Sequence, residues 1–237
     1  MTRMFPGYCT WNPVTGCSHN CPYCWAMGLA LGKLRNTPKY SKGFIPSVHP
    51  SVIQKGPPHF ENIFVVAMGD LWCDSFSDET IQDVMYSCAI QNITKNYLLL
   101  TKNPGRYVDF LVKNPGYFDN HRFIWGTTIE TNYGKENRYG NYLGPNAPDP
   151  ELRYLSMATL RRDYPDIRLF LSIEPVMKFD IDAMLAWILE IDPEFIYIGL
   201  DNHNKIPHDF EPTKEELSAL IETAKKITEV RLKTVFK

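Results

Sequence analysis

The chain has 237 residues, 44% of them apolar, with a formal net charge of −2. At this length it buries roughly 70–75% of its unfolded surface and needs no disulfide staple, and its composition excludes disorder and fits one soluble globular domain. The near-neutral charge excludes a strongly electrostatic nucleic-acid binder, although a local basic groove survives such averaging.

The N-terminal MTRMFPGYCTWNP has no apolar h-region. No apolar run reaches the ~18 residues of a membrane span, so a cytoplasmic location is the default. In a reducing cytosol the six cysteines read as thiols or metal ligands.

In chain order, strands are expected at 8–11, 63–67, 97–101, 123–128, 168–173 and 195–199. These short, β-branched and aromatic runs carry little polar alternation, as strands buried on both faces do. Helices fall between them. Asp78 can cap one whose stripe is Ile81, Val84, Met85, Cys88 and Ala89. Residues 105–113 form a shorter candidate. Asp149 and Pro150 are an N-cap and first-turn pair opening a helix to about 163. Asp180 opens another, with Ile181, Met184, Leu185, Ile188 and Leu189 on one face. Thr213 and Glu216 make a capping box before Leu217, Leu220, Ile221, Ala224 and Ile227.

Six alternations of strand and helix predict an α/β protein with a parallel sheet. They are too few for an eight-stranded barrel. The expectation is one domain over 1–237, an open, partial (β/α)6 TIM-like barrel, with a doubly wound sheet as the alternative. Residues 36–60 and 131–150, rich in Pro or in Gly, Asn and Tyr, interrupt the rhythm as lids, binding loops or plain insertions.

The stretch CTWNPVTGCSHNCPYCWA follows the first strand, where α/β proteins place ligands. Its Cys17, Cys21 and Cys24 are spaced C-x-x-x-C-x-x-C in a loop (12–25) that Pro13, Gly16 and Pro22 keep non-helical. Thiolates bind soft metals, and a cubane iron–sulfur cluster commonly uses four. A zinc site could recruit His19, Cys9, Cys73 or Cys88 as a fourth ligand, but no second C-x-x-C exists. An electron carrier would want a fourth nearby cysteine. The remaining reading is a cluster with one open iron, which Tyr23 and Trp25 could shield.

That spacing resembles the radical S-adenosylmethionine (SAM) superfamily. TWNPVTGC, MGDLW, YLLLTKNPGRY, IWGTTIET and LFLSIEPVM are similar to successive motifs of a phage and prokaryotic radical-SAM-like family of unsettled activity, over residues 10 to 200. The arrangement is also distantly similar to spore photoproduct lyase, a DNA-repair member. The resemblance implies a [4Fe–4S] cluster on Cys17, Cys21 and Cys24, completed by SAM and oxygen-sensitive. It implies cleavage of SAM to a 5′-deoxyadenosyl radical that abstracts hydrogen from a substrate. An external electron donor of ferredoxin or flavodoxin type follows from it.

The strand ends then acquire roles. After the second strand, Met68, Gly69 and Asp70 would meet the amino group of SAM, with Gly69 allowing close backbone approach. Lys102 and Arg106 could meet a carboxylate or phosphate. Thr128 and Glu130 share one side of their strand and would meet ribose or carboxylate. Ser172 and Glu174 would contact SAM or substrate, and Leu200, Asp201 and His203 would close the site. Cys73, by analogy with a cysteine of spore photoproduct lyase, could donate a hydrogen atom, against a plain buried thiol. Cys88 reads as core, and Cys9 has no role. Tyr133, Tyr139, Tyr142 and Arg138 could stack on nucleobases, which points to a nucleic acid or nucleotide substrate. Against this enzyme stand a zinc-stabilised nucleic-acid-binding module and an iron–sulfur electron-transfer protein.

Overall fold

Seven short strands form one sheet, the inner ones apolar on both faces and all but the last followed by a segment that can carry the chain back. They are β1 (Cys9–Trp11), β4 (Asn62–Val65), β5 (Asn96–Thr101), β6 (Phe123–Thr128), β7 (Arg168–Ile173), β8 (Phe195–Ile198) and β9 (Glu229–Leu232). All neighbours are parallel, in the order β1-β4-β5-β6-β7-β8-β9. The sheet is partly curled and open, a half-barrel, as expected of a partial TIM-like fold. A separate antiparallel pair joins β2 (Val14–Thr15) to β3 (Ser47–Val48). This computed structural model describes residues 5–91, 93–117, 121–138, 140–201 and 204–233. Tyr139 and His203 lie outside the described residues.

The helices are α1 (Trp25–Leu31), α2 (Pro50–Lys55), α3 (Asp78–Ala89), α4 (Gly105–Lys113), α5 (Pro150–Asp163), α6 (Ile181–Ile191) and α7 (Lys214–Ala224). Among the described residues no helix is long and apolar enough to cross a membrane. Asp149, Asp180 and the Thr213–Glu216 capping box start α5, α6 and α7 as expected. The cap of α3 is Ser77, whose hydroxyl accepts from Thr80 N at 3.2 Å. Asp78 instead occupies the first turn and pairs with Arg106 and Lys113, both at 2.7 Å. On α6 the core face takes Ile191, and Leu189 points outward.

Strand periodicity divides the core in two. Ile63, Val65, Leu99, Trp125, Leu171 and Ile196 face the helices in the main core. Phe64, Leu98, Ile124, Phe170 and Tyr197 face inward. Phe5 plugs this concave face, its ring 4.6 Å from Phe64 and 4.7 Å from Tyr197.

The seventh strand, β9, was not expected. Its sequence EVRL alternates charge with aliphatic groups, as an edge strand does, and follows α7 so closely that it reads as more helix. Arg231 lies over the Phe195 ring at 3.6 Å, so the inward face accepts this cation through its aromatic floor.

Candidate functional site

The cysteine loop is anchored to the end of β4 by two glycines. Gly16 and Gly69 form an isolated parallel bridge, in which Gly16 N donates to Met68 O at 2.9 Å and Asp70 N to Gly16 O at 3.3 Å. A Cβ on Gly69 would lie 2.4 Å from Gly16 O, and Gly16 has φ +84°, so neither position takes a side chain without rearrangement. The close approach expected at Gly69 is thus made here by the loop's own backbone. Asn12 adds a third tie, accepting from Met68 N at 2.9 Å.

This anchoring brings Cys17, Cys21 and Cys24 to one cavity of about 210 Å³ at the carboxyl ends of the strands. Gly69, Asp70, Lys102, Thr128, Ser172, Glu174 and Asp201 line it too, with Tyr23, Trp25, Phe44, Phe64 and Leu200. Met68, Glu130 and Cys73 do not line it. Met68 packs behind the loop with Ala26, Ala30 and Tyr40.

Two of the sulfurs already accept backbone N–H groups. Cys17 Sγ takes His19 N at 3.4 Å, and Cys24 Sγ, the N-cap of α1, takes Met27 N at 3.3 Å. Cys17, His19 and Asp70 also offer ligand atoms within 4.8 Å of one another, a set that could chelate a metal.

Asp70 organises this side. One of its oxygens accepts from His19 Nε2 at 3.0 Å, Thr101 Oγ1 at 2.9 Å and Lys102 N at 3.0 Å. The other accepts from Trp72 N at 2.9 Å. Burial would raise its pKa, but the His19 hydrogen bond and charge, with the other donors, hold it below the usual carboxylate range. His19 is pushed the opposite way: burial would lower it, and Asp70 raises it.

Behind the cavity lies a buried charge cluster. Glu130 is fully buried between Lys102 and Arg153, with Tyr23 donating its hydroxyl to the carboxylate. Arg153, itself fully buried, reaches Glu130 at 2.7 Å, Thr128 O at 3.0 Å and Pro148 O at 2.8 Å. Burial would raise Glu130, yet the charges of Lys102 and Arg153 pull it down to about 2. Both oxygens expected to meet a ribose are therefore taken by protein. Arg153 was missed from sequence. The signal was there: it shares a helix face with buried Met157 and Leu160, and a buried cation needs a buried carboxylate.

The opposite wall differs. Thr128 and Ser172 are register partners on β6 and β7 and face the cavity. They are 7% and 1% exposed, and neither hydroxyl has a hydrogen-bond partner among the described residues. Glu174 pairs with Lys233 from the end of β9. Asp201 accepts from the backbone N–H groups of Lys205 and Ile206.

Other expected residues are placed elsewhere. Arg106 holds Cys73 O and Phe76 O, both at 2.8 Å, and so braces the turn before α3 away from the cavity. Cys73 is wholly buried behind Cys17, which hydrogen-bonds it; that bond, with Ser18 donors, lowers Cys73 to about 6 and raises Cys17. Its side chain is not among those lining the cavity. Tyr133 and Tyr142 pack against Leu143, Met177, Ile206 and Phe210, and Arg138 covers the Phe210 ring at 5.1 Å. These side chains pack in a small cluster of their own, with Tyr133 and Tyr142 half-buried and Arg138 exposed. Cys88 is core, and Cys9 lies in β1 away from the cavity.

Residues 7–190 match the model of a family of proteins of unknown function, DUF5131. The chain belongs to that family. No curated protein matches this DUF5131 chain. Solved structures of spore photoproduct lyase, a radical SAM superfamily member, share its fold. The complex with dinucleoside spore photoproduct gives a TM-score of 0.60 at 12% identity, covering 94% of the DUF5131 chain and 76% of the other. A variant with the same dinucleoside gives 0.59 at 12% identity with the same coverage. A variant with bound AdoMet and that dinucleoside gives 0.55 at 12% identity, over 93% and 61%. At such identity the likeness concerns the fold.

Proposed function

We propose that this chain is a radical SAM enzyme acting as a single domain, with Cys17, Cys21 and Cys24 holding a [4Fe–4S] cluster and the cavity holding SAM. When bound, that pair supplies one-electron cleavage of SAM to a 5′-deoxyadenosyl radical, which abstracts hydrogen from a substrate. The carrying observation is that three cysteines, with Thr128 and Ser172 opposite them, line one cavity.

The residues present fit these groups. Three thiolates are the soft donor set an iron–sulfur cluster takes, and N–H donors on two sulfurs are the kind of bond that tunes a cluster's potential. Thr128 and Ser172 have hydrogen-bond capacity that no protein contact among the described residues uses and that a ligand in the cavity can take up. Lys102, lying 4.6 Å over the Tyr23 ring, presents a cation to a carboxylate in the cavity. Glu174 and Asp201 border the substrate side. Trp25, Phe44 and Leu200 exclude water. Asp70, Glu130 and Arg153 act through others: they fix His19, Lys102 and Tyr23. The nucleic-acid or nucleotide substrate belongs to the same proposal, supported by the shared fold of a lyase solved with a dinucleoside.

A second reading rests on the Cys17, His19 and Asp70 set, which suits a single zinc ion in a non-catalytic module. Anaerobic purification separates the two. The enzyme reading expects brown protein with about four irons and sulfides per chain, and methionine and 5′-deoxyadenosine after reduction with SAM. Colourless protein with one zinc would overturn it. Brown protein that leaves SAM intact would make it an electron carrier.

A further inference from the structure

Charge is unevenly divided along this chain. All 27 acidic residues lie at Glu61 or beyond, while the first 60 residues hold Arg3, Lys33, Arg35, Lys39, Lys42 and Lys55. A net charge of −2 conceals this, because the acidic remainder offsets a wholly cationic start. Lys33, Arg35, Lys39, Lys42 and Lys55 are all exposed. Among the described residues none of the five has an ion-pair partner, and Lys39 donates to a backbone oxygen, Asn12 O at 3.0 Å. Elsewhere many basic side chains are paired, as Lys95 with Glu61, Lys113 with Asp78 and Arg168 with Glu194.

The cations are grouped. Residues 32–43 run through successive tight turns, Arg35 N to Gly32 O, Tyr40 N to Thr37 O and Gly43 N to Tyr40 O, and Gly43 returns beneath the Leu31 side chain. Between the cations stand exposed apolar groups: Leu31 at 53%, Ile45 at 60% and Val48 at 40%. The patch is close to the cysteines. Cys24 caps α1, the seven residues of which span roughly 10 Å, and Leu31 is its last residue. The buried side of this segment, Ala26, Ala30, Tyr40 and Phe44, packs on Cys24 and Met68.

We infer that the face formed by residues 31–48 is the docking surface for an acidic, one-electron-donating protein. This rests on the cluster reading above and adds the place where the electron arrives. An apolar centre ringed by unpaired cations complements a protein surface of opposite charge. Exposed Leu, Ile and Val side chains suit a protein partner better than a phosphate backbone, which takes Arg forks and aromatic platforms. The reduced donor would lose one electron and the cluster held by Cys17, Cys21 and Cys24, when bound, would accept it; no bond or proton changes hands. Such redox encounters use small, charge-steered interfaces that weaken with salt.

The test uses the full-length, cluster-reconstituted chain and an acidic flavodoxin. Lys33→Glu/Arg35→Glu/Lys42→Glu is compared with Lys214→Glu/Lys225→Glu/Lys226→Glu, the same charge change on exposed positions in and just after α7. Binding of oxidised flavodoxin is titrated at low and high salt, a readout independent of the cluster. The first variant should bind about tenfold or more weakly at low salt, the difference should collapse at high salt, and the α7 variant should match the parent. Cluster reduction by flavodoxin should slow in parallel, while reduction by a small neutral reductant is unchanged. Equal flavodoxin binding by parent and first variant, or no binding by the parent, overturns the assignment. So does a variant that keeps flavodoxin but loses a labelled oligonucleotide, which would give the face to nucleic acid. Intact, patch-dependent flavodoxin binding by protein that takes up no iron would sink the cluster reading and leave the surface standing.

Discussion

The two walls of the cavity are built on opposite plans. On the β1 and β4 side almost every polar group is spoken for: Asp70 has four protein donors, and the loop backbone is tied at Gly16, Met68 and Asn12. On the β6 and β7 side, Thr128 and Ser172 are buried with hydroxyls that no protein group meets. The first wall spends its polar groups on position, and Cys17, Cys21 and Cys24 line the same cavity. The second keeps polar groups in reserve, facing a cavity where water can meet them until a ligand does. A rigid wall and a receptive wall are what a site needs when one ligand is resident and another comes and goes.

Substitutions separate the walls by size of effect. Cys17→Ala, Cys21→Ala and Cys24→Ala should each lose the cluster outright, read as iron and sulfide per chain. Full iron retention in any one contradicts the ligand assignment. Glu130→Ala, which strands Lys102 and Arg153 in the interior, should destabilise the fold by about 3–5 kcal/mol in chemical denaturation.

The same residue makes a pH prediction. Its folded pKa, about 2, lies below the usual 4.5, so its stabilisation is complete above pH 4.5 and declines as pH falls through 2. Glu130→Gln should remove that acid-side slope from the denaturation midpoint. Persistence of the full slope would place it on other carboxylates, Asp70 first.

Gly16→Ala should cost about 1–3 kcal/mol through its positive φ. The smallest effects belong to the receptive wall. Thr128→Val and Ser172→Ala should leave stability within about 0.5 kcal/mol of the parent, yet each should weaken SAM binding by about 1 kcal/mol, roughly fivefold. A large stability loss with unchanged SAM affinity would show that the two walls do not divide the work in this way.

The legible parts of this molecule were those written locally. The six expected strands, the caps at Asp149, Asp180 and Thr213, and the grouping of polar strand ends depend on periodicity and short-range capping. Strand β9 was not legible, because an edge strand with Glu229 and Arg231 carries little apolar signal. The packing of the loop tyrosines was not legible for a related reason: an aromatic in a Gly- and Asn-rich stretch reads the same whether or not it packs on Phe210.

The chain order of residues alone dictates the three-cysteine spacing, its place after a strand, and the alternation that demands a parallel sheet. Partnership between distant charges is a different matter. Glu130 meets Arg153 and Lys102, and Asp70 meets His19, only because curling of the sheet brings β4, β5 and β6 ends against α5 and the cysteine loop. A carboxylate at a strand end looks free in one dimension. Burial decides otherwise, since a desolvated charge must find its counterion within the fold, and that left Thr128 and Ser172 as the hydroxyls still open to a ligand.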